Sequence, residues 1–548
     1  MNLSQLGLST MNAARARLIT AGHNINNANT PGYSRQSVIV STAGATATGG
    51  GFLGRGVQID TVRRSYDTFL SNQFVSAQSK GAMLAAYGNQ VGQINNLIAD
   101  NTVGISPAMQ KFFDGIQAVA STPADPAARQ ELLGRTQSMV GQFNEMNTFL
   151  NNQRNDVNGQ VQTVVTQINS HLHRVAELNK QIEIAKGSTG QVPNDLLDQR
   201  DQEVADLNLL ARVNVLEHNG QYTLTIGNGQ LVVSGADAYG LTAKPSDADP
   251  RNMSVYVSVP AGNGEALIEL DAGLIQGGSL AGLLTYRDEN LDAVQRQLGQ
   301  LATGLALAMN AQQIQGLDLT GKPGTPMFLF GQPDQVANAQ NRGTGQLTAS
   351  INPDGAGDLR ASDYDIKFDG ANFRVTRQPD DVQVFFGASL DNAQIDGMTV
   401  SVGGAPLAGD SWKLMPTRDA GGKLQVALAT PDQFAAASLE GGSANGDNML
   451  ALAALQTAKI LGGGTMNFNE SYSQIVNKVA VHTQQNSAEA KAQAALIEQS
   501  YSAQQAVSGV NLDEEYVNLD RFQEQYVAAS KLIEISASLF DTLIGIRA

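Results

Sequence analysis

The chain has 548 residues, of which 42% are hydrophobic, and it carries a formal net charge of −16 and no cysteine. Its length and apolar content favour several folded domains. Its acidity argues against nucleic acid as a partner, because phosphate binding needs clustered Lys and Arg, and the lack of cysteine excludes disulfides and thiol catalysis. The start has no secretory signal and the chain has no apolar run of about eighteen residues, so we expect no insertion in a membrane.

Small and apolar residues recur every three or four positions near the start of the chain and stop at Thr30-Pro31-Gly32. They are Gly7, Met11, Ala14, Leu18, Ala21, Ile25 and Ala28. This spacing predicts a helix with a narrow, Ala-rich stripe, which suits the close approach of a bulkier helix.

The other end of the chain, from Asn511, has a seam with a seven-residue repeat that suits such a partner. Its members are Leu519, Phe522, Tyr526, Ala529, Ile533, Ser536, Phe540 and Leu543. Because an isolated helix is marginal in water, we predict that the two terminal helices pack against each other. Two unrelated core helices are the alternative. Ser536 breaks the seam, because an apolar residue would pack better there.

The segment after the first helix, residues 33–60, is rich in Ser, Thr, Ala and Gly and predicts an extended, partly strand-like connector. A phosphate-binding loop is not expected, because no Gly-Lys-Ser/Thr follows the glycines. Helical periodicity returns from Arg64, again from Pro107 and Pro126, and over residues 193–210. Long rods of this kind bury their apolar stripes most simply as an antiparallel bundle.

Alternating apolar residues from Arg212 predict a small antiparallel sheet with Asn219-Gly220 and Asn228-Gly229 as hairpin turns. The alternation ends at Gly277-Gly278, and the pattern then predicts a long helix that continues to Leu305 and returns to the bundle.

A second β region is predicted over residues 345–428, with strands on either side of an Asp369-Gly370 turn. Helical patterns resume over residues 448–461 and, after three glycines, over residues 469–507. The order of these elements is nested, with helices at both ends enclosing helices, which enclose β regions.

The sequence therefore predicts a multidomain α+β protein with a terminal α-helical coiled-coil domain, a helical bundle domain and inserted antiparallel β domains. The expected boundaries are 1–36 plus 508–548 for the coiled-coil domain, 37–210 plus 277–320 plus 440–507 for the helical rod domain, 211–276 for the small β domain, and 321–439 for the outer β domain.

No motif in the sequence indicates catalysis. His171 and His173 lie on different sides of one helix and cannot chelate a single ion, and a packed or partner-bonded imidazole is the better interpretation of His171. Two groups of carboxylates invite an acid–base or calcium interpretation: Asp198, Asp201 and Asp206, and Asp363, Asp365 and Asp369. A solvated helix face, with Arg200 between the carboxylates, explains the first group, and a turn explains the second. We expect no catalytic residue, metal site or cofactor.

Several motifs resemble those of one known family. Asn24-Ile25-Asn26-Asn27-Ala28-Asn29-Thr30-Pro31-Gly32-Tyr33-Ser34-Arg35-Gln36 resembles the N-terminal signature shared by the axial proteins of the bacterial flagellum, which include rod, hook and hook-associated proteins. Its Tyr-Ser-Arg-Gln continuation is most similar to the hook-associated members. Four further stretches are similar to the same members: Asn511-Leu512-Asp513-Glu514-Glu515, Leu539-Phe540-Asp541-Thr542-Leu543, residues 193–201 and Gly409-Asp410-Ser411-Trp412.

The resemblance implies a non-enzymatic structural subunit of the motility apparatus that joins hook to filament, leaves the cell by the flagellar type III export route and functions outside it. The implied partners are copies of itself in a ring, the hook protein, the second hook-associated protein of the junction, the export apparatus and an export chaperone on the C-terminal helix. The implied assembly and export residues are Met11, Leu18, Ile25, Asn29, Pro31, Gly32, Tyr33, Leu519, Phe522, Tyr526, Ile533, Phe540 and Leu543.

Other interpretations remain open on the sequence alone. The chain could be another axial protein of the hook type, or an exported wall-cutting hydrolase carried on axial-type ends, which would need convergent carboxylates in the β region. An adhesive role of the β domains is a third. A membrane-surface helix is disfavoured, because the C-terminal helix has an acidic rather than a basic polar face.

Overall fold

The structure, a computed structural model, describes residues 3–98, 104–261, 264–355 and 357–546. Residues 1, 2, 547 and 548 of the predicted terminal domain lie outside this described part. The helices are α1 (Leu3–Asn27), α2 (Thr68–Ile98), α3 (Ile105–Ser121), α4 (Pro126–Thr189), α5 (Asn194–Leu210), α6 (Gly278–Tyr286), α7 (Asp292–Gln313), α8 (Asp447–Ala454), α9 (Phe468–Ser508) and α10 (Leu512–Gly545). None of these described helices is both long and apolar enough to cross a bilayer.

The described strands pair in small antiparallel sheets. They are β1 (Gln36–Thr42), β2 (Ala45–Thr48), β3 (Gly51–Gly54), β4 (Val57–Arg64), β5 (Val213–His218), β6 (Gln221–Ile226), β7 (Gln230–Ser234), β8 (Asp237–Ala238), β9 (Leu241–Pro245), β10 (Met253–Ala261), β11 (Gly264–Glu269), β12 (Phe328–Leu329), β13 (Asp334–Ala337), β14 (Gln346–Ile351), β15 (Asp363–Phe368), β16 (Phe373–Gln378), β17 (Val382–Gly387), β18 (Ala393–Ile395), β19 (Met398–Gly403), β20 (Ser411–Met415) and β21 (Gln425–Val426).

The two ends of the chain meet, because α1 and α10 pack together along most of α1. Gly7, Ala14 and Ala21 are buried on the α1 side, and Ala529 and Ser536 are buried on the α10 side. This contact confirms the predicted pairing of the terminal helices and excludes the alternative of two unrelated core helices.

The middle of the molecule is a helical bundle built around α4, which has 64 residues and is about 95 Å long at 1.5 Å per residue. Asp125 caps its start, where its side chain accepts the backbone N–H of Ala127 at 3.0 Å. α2, α3, α6, α7 and α9 pack around it or around each other, and a π turn, Arg287–Leu291, joins α6 to α7. Buried Phe112, Phe143 and Leu301 belong to the shared apolar core.

The small β region confirms the predicted hairpins. β5 and β6 join through Asn219 and Gly220, both with positive φ, as a two-residue turn of this type requires. The strands form sheets in the order β5-β6-β7-β8 and β11-β10-β9. Their buried residues, such as Leu224 and Val257, join the same apolar core as the helices. The small sheets therefore pack on the bundle, and the division of the chain into domains stays a prediction.

The second β region has its own apolar core, which includes Ile366, Met398 and Trp412. Its sheets have the orders β13-β20-β15-β16-β17 and β14-β19-β18. The predicted Asp369-Gly370 turn is confirmed, because Phe368 pairs with Phe373 across it. Helices and antiparallel sheets thus occur together, which confirms the mixed α+β fold.

One predicted helix is wrong in length. The pattern over residues 448–461 predicted a continuous helix, but α8 ends at Ala454. The chain then turns so that Leu461 is fully buried, and the backbone N–H of Leu461 donates to the carbonyl of Met466 at 3.0 Å. Burial of Leu461 in the core outweighs the local helical preference. Gly462, Gly463 and Gly464 follow with positive φ, which accounts for the glycine run.

Candidate functional site

The paired termini form the candidate site, and α1 and α10 lie antiparallel in it. Near the start of α1, Gly7 lies against Ala529 and Ile533. Near its end, the Asn24 amide donates to Glu515 at 3.2 Å. Residues later in α1 therefore lie opposite residues earlier in α10, as expected for two antiparallel helices.

Small residues bring the two backbones close together. A Cβ atom on Gly7 would lie 2.8 Å from Cγ1 of Ile533 and 3.1 Å from the carbonyl oxygen of Ala529. Ser536 is buried on the same seam. The seam thus buries a serine at this position, and the expectation that an apolar residue would pack better there stays a prediction.

The α10 helix extends past the described part of α1. Gly7 is level with Ala529 and Ile533, so α10 from about residue 537 has no α1 turn beside it. This overhang, residues 537–545, is about 14 Å long at 1.5 Å per residue. Phe540 and Leu543 lie on it at 59% and 65% exposure. The predicted seam therefore continues past the described part of α1, and the assembly role of these two residues stays a prediction.

Most of the other predicted assembly residues lie along the α1–α10 contact. Met11, Leu18 and Ile25 on α1 are half-buried, as are Leu519, Phe522 and Ile533 on α10. Tyr526 is 36% exposed, and its role in assembly stays a prediction. Arg17 stacks over the Phe522 ring at 5.5 Å, which adds a cation–π contact to the seam.

The N-terminal signature folds back on α1 through Asn24. The Asn24 amide donates to the carbonyl oxygen of Gln36 at 2.9 Å, and its oxygen accepts the Gln36 N–H at 2.9 Å. The Tyr33 hydroxyl also donates to the Asn24 oxygen at 2.7 Å. Burial raises the pKa of Tyr33, and Asp195 and Asp198 raise it further, so the phenol keeps its proton at physiological pH.

Arg35 connects the signature to the start of α10. Its Nε donates to Glu515 at 2.8 Å, its second guanidinium nitrogen lies 3.0 Å from Glu514, and its backbone N–H donates to the carbonyl of Ser508 at 2.9 Å. Glu515 is buried at 3% exposure in the first turn of α10, where the helix dipole favours a negative charge. One arginine thus joins the segment after α1 to α9 and α10.

The exposed part of the signature is a turn that needs glycine. Asn29, Pro31 and Gly32 are exposed, and Gly32 has a φ of 77°. A Cβ on Gly32 would lie 2.6 Å from Oε1 of Gln202. The turn therefore brings the backbone against α5 in a conformation that other residues rarely adopt.

The carboxylates of α5 are not a solvated face, and that prediction is wrong. Asp198 is buried, accepts the backbone N–H of Ser34 at 2.9 Å and pairs with Arg64 at 2.7 Å. Arg64 also lies 2.7 Å from Asp201, which accepts the Tyr222 hydroxyl at 2.6 Å. Burial is the main cause that raises the pKa of Asp198, against the lowering by Ser34 and Arg64.

Arg200 lies inside this cluster rather than between solvated carboxylates. Its guanidinium stacks 3.4 Å from the Tyr222 ring centroid and donates to the carbonyl of Gly220 at 2.7 Å. The β4 and β5–β6 segments converge on α5, and this convergence buries charges that the local sequence places on a helix surface. The cluster anchors the signature to the helical bundle.

The remaining candidate groups have structural partners. His171 lies 2.7 Å from Glu203, so the partner-bonded interpretation is confirmed. Asp363 pairs with Arg296 at 3.2 Å and with Arg418, and Asp369 accepts the turn N–H groups of Ala371 and Asn372. In the part of the chain that the structure describes, no three His, Asp or Glu side chains are grouped as metal ligands.

Sequence reasoning missed how the polar residues of this site pair. Asn24, Arg35, Arg64, Asp198 and Glu515 make its polar contacts, and all but Arg64 lie in the motifs that resemble the family, but the motifs do not show which residues meet. Asn24 offered a partial signal, because it lies one residue before Ile25 of the predicted stripe. Their pairing required segments up to 491 positions apart to meet.

Comparisons with known proteins identify a family. Residues 91–328 match the profile described as the flagellar hook-associated protein FlgK helical domain. Residues 336–416 match the flagellar hook-associated protein 1 D2-like domain, and residues 5–33 match the flagella basal body rod protein profile.

Full-length relatives agree with the profiles. The chain is 39% identical to the flagellar hook-associated protein 1 of Salmonella typhimurium, over 98% of this chain and 99% of that protein. It is 37% identical to the Escherichia coli protein of the same name, over 98% of each chain. The solved structure of the flagellar hook junction protein FlgK from Burkholderia pseudomallei matches 80% of this chain and 100% of that chain, with a TM-score of 0.75 and 28% identity.

Proposed function

Because this chain belongs to the flagellar hook-associated protein 1 family, we propose that its paired terminal helices are the surface through which it assembles into the flagellum. Members of the family are structural, non-enzymatic components of the extracellular flagellum, and this protein is a subunit of the hook–filament junction. The hook-type and hydrolase alternatives are therefore not supported.

The overhang of α10 is the observation that carries the proposal. Ala529 lies against Gly7 of α1 and Ser536 is buried on the same seam, whereas Phe540 and Leu543 continue the seam into solvent. An apolar stripe of this kind on a soluble chain is an interaction surface. A terminal helix of a second copy would complete it, because the seam repeats every seven residues and contacts of this head-to-tail type build rings and helical assemblies.

Association with the hook and other flagellar components follows from the family. We further propose the hook protein and the second hook-associated protein of the junction as neighbours. Before assembly, we propose that an export chaperone covers the overhang and that the flagellar export apparatus carries the chain out of the cell. The exposed apolar residues of α10 support this proposal, since they would otherwise promote aggregation in the cytoplasm.

Charges placed on the overhang test the proposal. We expect Phe540→Asp with Leu543→Asp to block filament growth, because two carboxylates would have to be desolvated in the assembled seam. The purified variant should keep the thermal unfolding of the parent, since both side chains are exposed in the monomer. The measurement is filament formation in cells that lack the native gene and express the variant.

Ser538→Asp with Thr542→Asp is the matched control. These exposed residues lie on the opposite side of the same helix, so the control adds equal charge outside the seam and should support filaments. Normal filaments with the Phe540 and Leu543 variant would refute the assembly role of the overhang.

A further inference from the structure

The buried face of α9 changes character along its length. Toward its start, Phe468, Tyr472, Ile475 and Val479 are buried in the apolar core. In the described segment 480–508, the buried residues are polar: Asn486, Gln493, Ser500 and Ser508. The first three are spaced by seven residues, so they form one stripe along the helix.

This polar stripe faces α2 through side-chain amides. Asn486 donates to the carbonyl of Leu84 at 3.1 Å, and Gln493 donates to the carbonyl of Ala77 at 2.9 Å. Hydrogen bonds of this kind replace bonds to water and contribute little net stability each. The Ser500 hydroxyl and the Asn486 oxygen are buried without a protein partner among the described residues, which costs free energy while the contact is closed.

Apolar contacts between the second half of α9 and α2 are few, and the side chains that make them are partly exposed. Ile497 lies against Gly81, where a Cβ would approach it to 2.7 Å, and Tyr501 lies 5.4 Å from Phe74 between ring centroids. Ile497 is half-buried and Tyr501 is 49% exposed. The hydrophobic effect therefore stabilises this half of the α2–α9 contact much less than the other half.

α2 and α9 differ in the other elements that pack against them. α2 also packs against α5 and α6, whereas the buried α9 residues that belong to the shared apolar core all lie in the first half of that helix. Loss of the polar contact would thus leave α2 supported, and would leave the second half of α9 without its partner helix up to Ser508, whose carbonyl accepts the backbone N–H of Arg35. A helix segment of that length is marginal in water, so it would lose its helical hydrogen bonds on release.

We propose that residues 484–506 of α9 detach from α2 as one unit while the rest of the helical bundle stays folded. The polar stripe is the feature of the sequence that permits this local opening. The inference concerns the monomer and does not depend on the assembly role of the overhang.

Hydrogen–deuterium exchange of the full chain in solution, read by mass spectrometry, tests the proposal. We expect the amides of residues 484–506 to exchange at least about tenfold faster, relative to their intrinsic rates, than those of residues 472–480 in the same helix. Residues 77–88 of α2 should keep their protection. Equal protection along α9, or joint loss of protection in α2 and α9, would overturn the proposal.

Filling the stripe with apolar side chains tests the cause. Asn486→Leu with Gln493→Leu should slow exchange in residues 484–506 by about tenfold or more, because the seam then buries leucine. Gln484→Leu with Gln499→Leu makes the same change at exposed positions and should leave exchange within about threefold. Unchanged exchange in the seam variant would overturn the assigned role of the stripe. If that variant does not fold, the difference in exchange between residues 484–506 and residues 472–480 of the parent chain tests the proposal.

Discussion

Asparagine side chains on α4 hold the small sheets by pairing with both backbone groups of one strand residue. Asn169 donates to the carbonyl of Leu241 at 2.8 Å and accepts its N–H at 2.8 Å. Asn179 pairs in the same way with Tyr222. Asn24 uses this geometry on Gln36 in the candidate site. An amide is suited to the task, because it presents one donor and one acceptor side by side, as a neighbouring strand would.

We expect Asn169→Leu to lower the free energy of unfolding by about 2–4 kcal/mol. The substitution leaves the N–H and the carbonyl of buried Leu241 unpaired, and each unpaired group costs about 1–3 kcal/mol. The shift of the urea midpoint measures the effect.

Asn155→Leu is the control for this prediction. Asn155 is exposed on the same helix, so the change should stay within about 0.5 kcal/mol. A midpoint for Asn169→Leu equal to that of the control would show that the paired amide contributes nothing.

Two glycines of α1 allow the effect of close packing to be distinguished from the effect of helix propensity. Gly7 lies in the closest part of the α1–α10 contact, whereas a Cβ on Gly22 would meet no heavy atom within 4 Å. Replacing each glycine with alanine is therefore expected to have opposite effects on stability within one helix. The contact between the terminal helices, rather than the helical preference of α1, should decide the result at Gly7.

We expect Gly7→Ala to destabilise the terminal pair by about 1–3 kcal/mol, because the added methyl overpacks the seam against Ile533 and Ala529. Gly22→Ala should stabilise α1 by about 0.5–1 kcal/mol, since alanine favours a helix more than glycine does. The rate at which a protease removes α1, followed by mass spectrometry, reports both effects. Faster cleavage in both variants, or in neither, would contradict the close-contact explanation.

Arg418 joins the outer β region to the bundle. Its guanidinium pairs with Asp249 at 2.5 Å, with Asp292 at 3.4 Å and with Asp363. Arg154 of α4 pairs with the same Asp292 at 2.5 Å. Burial by itself would raise the pKa values of Asp249 and Asp292, but the surrounding arginines, chiefly Arg418, lower both below the ordinary range.

These pKa shifts predict that acid reduces the stability that this contact contributes to the folded protein. A carboxylate whose pKa is lower in the folded state contributes stability above its unfolded pKa, which is about 3.9 for Asp, and loses it as the pH falls through the folded value. We expect the free energy of unfolding to be steady above about pH 5 and to fall steeply below about pH 4. Denaturant midpoints measured across this range report the loss.

Arg418→Met should cost about 3–5 kcal/mol at neutral pH, because it leaves buried carboxylates unpaired. It should also reduce the loss in acid, since protonation then relieves those carboxylates. Lys531→Met, which removes the partner of the exposed Glu534, is the control and should cost less than about 1 kcal/mol. If the Arg418 variant lost as much free energy of unfolding in acid as the parent does, the proposed role of Arg418 in lowering the carboxylate pKa values would be contradicted.

Periodicity accounts for the parts of the fold that were predictable. The three-and-four spacing on α1, α4 and α10 and the Asn-Gly dipeptides at the β5–β6 and β6–β7 turns depend on residues close together in the chain. The candidate site was predictable in outline for the same reason. Its polar contacts were not, because Asn24, Asp198 and Glu515 look like surface residues until distant segments cover them.

By itself, the sequence determined which segments are helices or hairpins, that the termini pair and to which family the chain belongs, because each depends on a local pattern. Only the tertiary structure decided where the α10 seam extends past α1, that Ser536 is buried on that seam and why Asp198 and Arg200 are buried. These properties depend on how far two helices overlap and on which strands converge on α5. Neighbouring residues do not encode such distances, because they result from the packing of the whole chain.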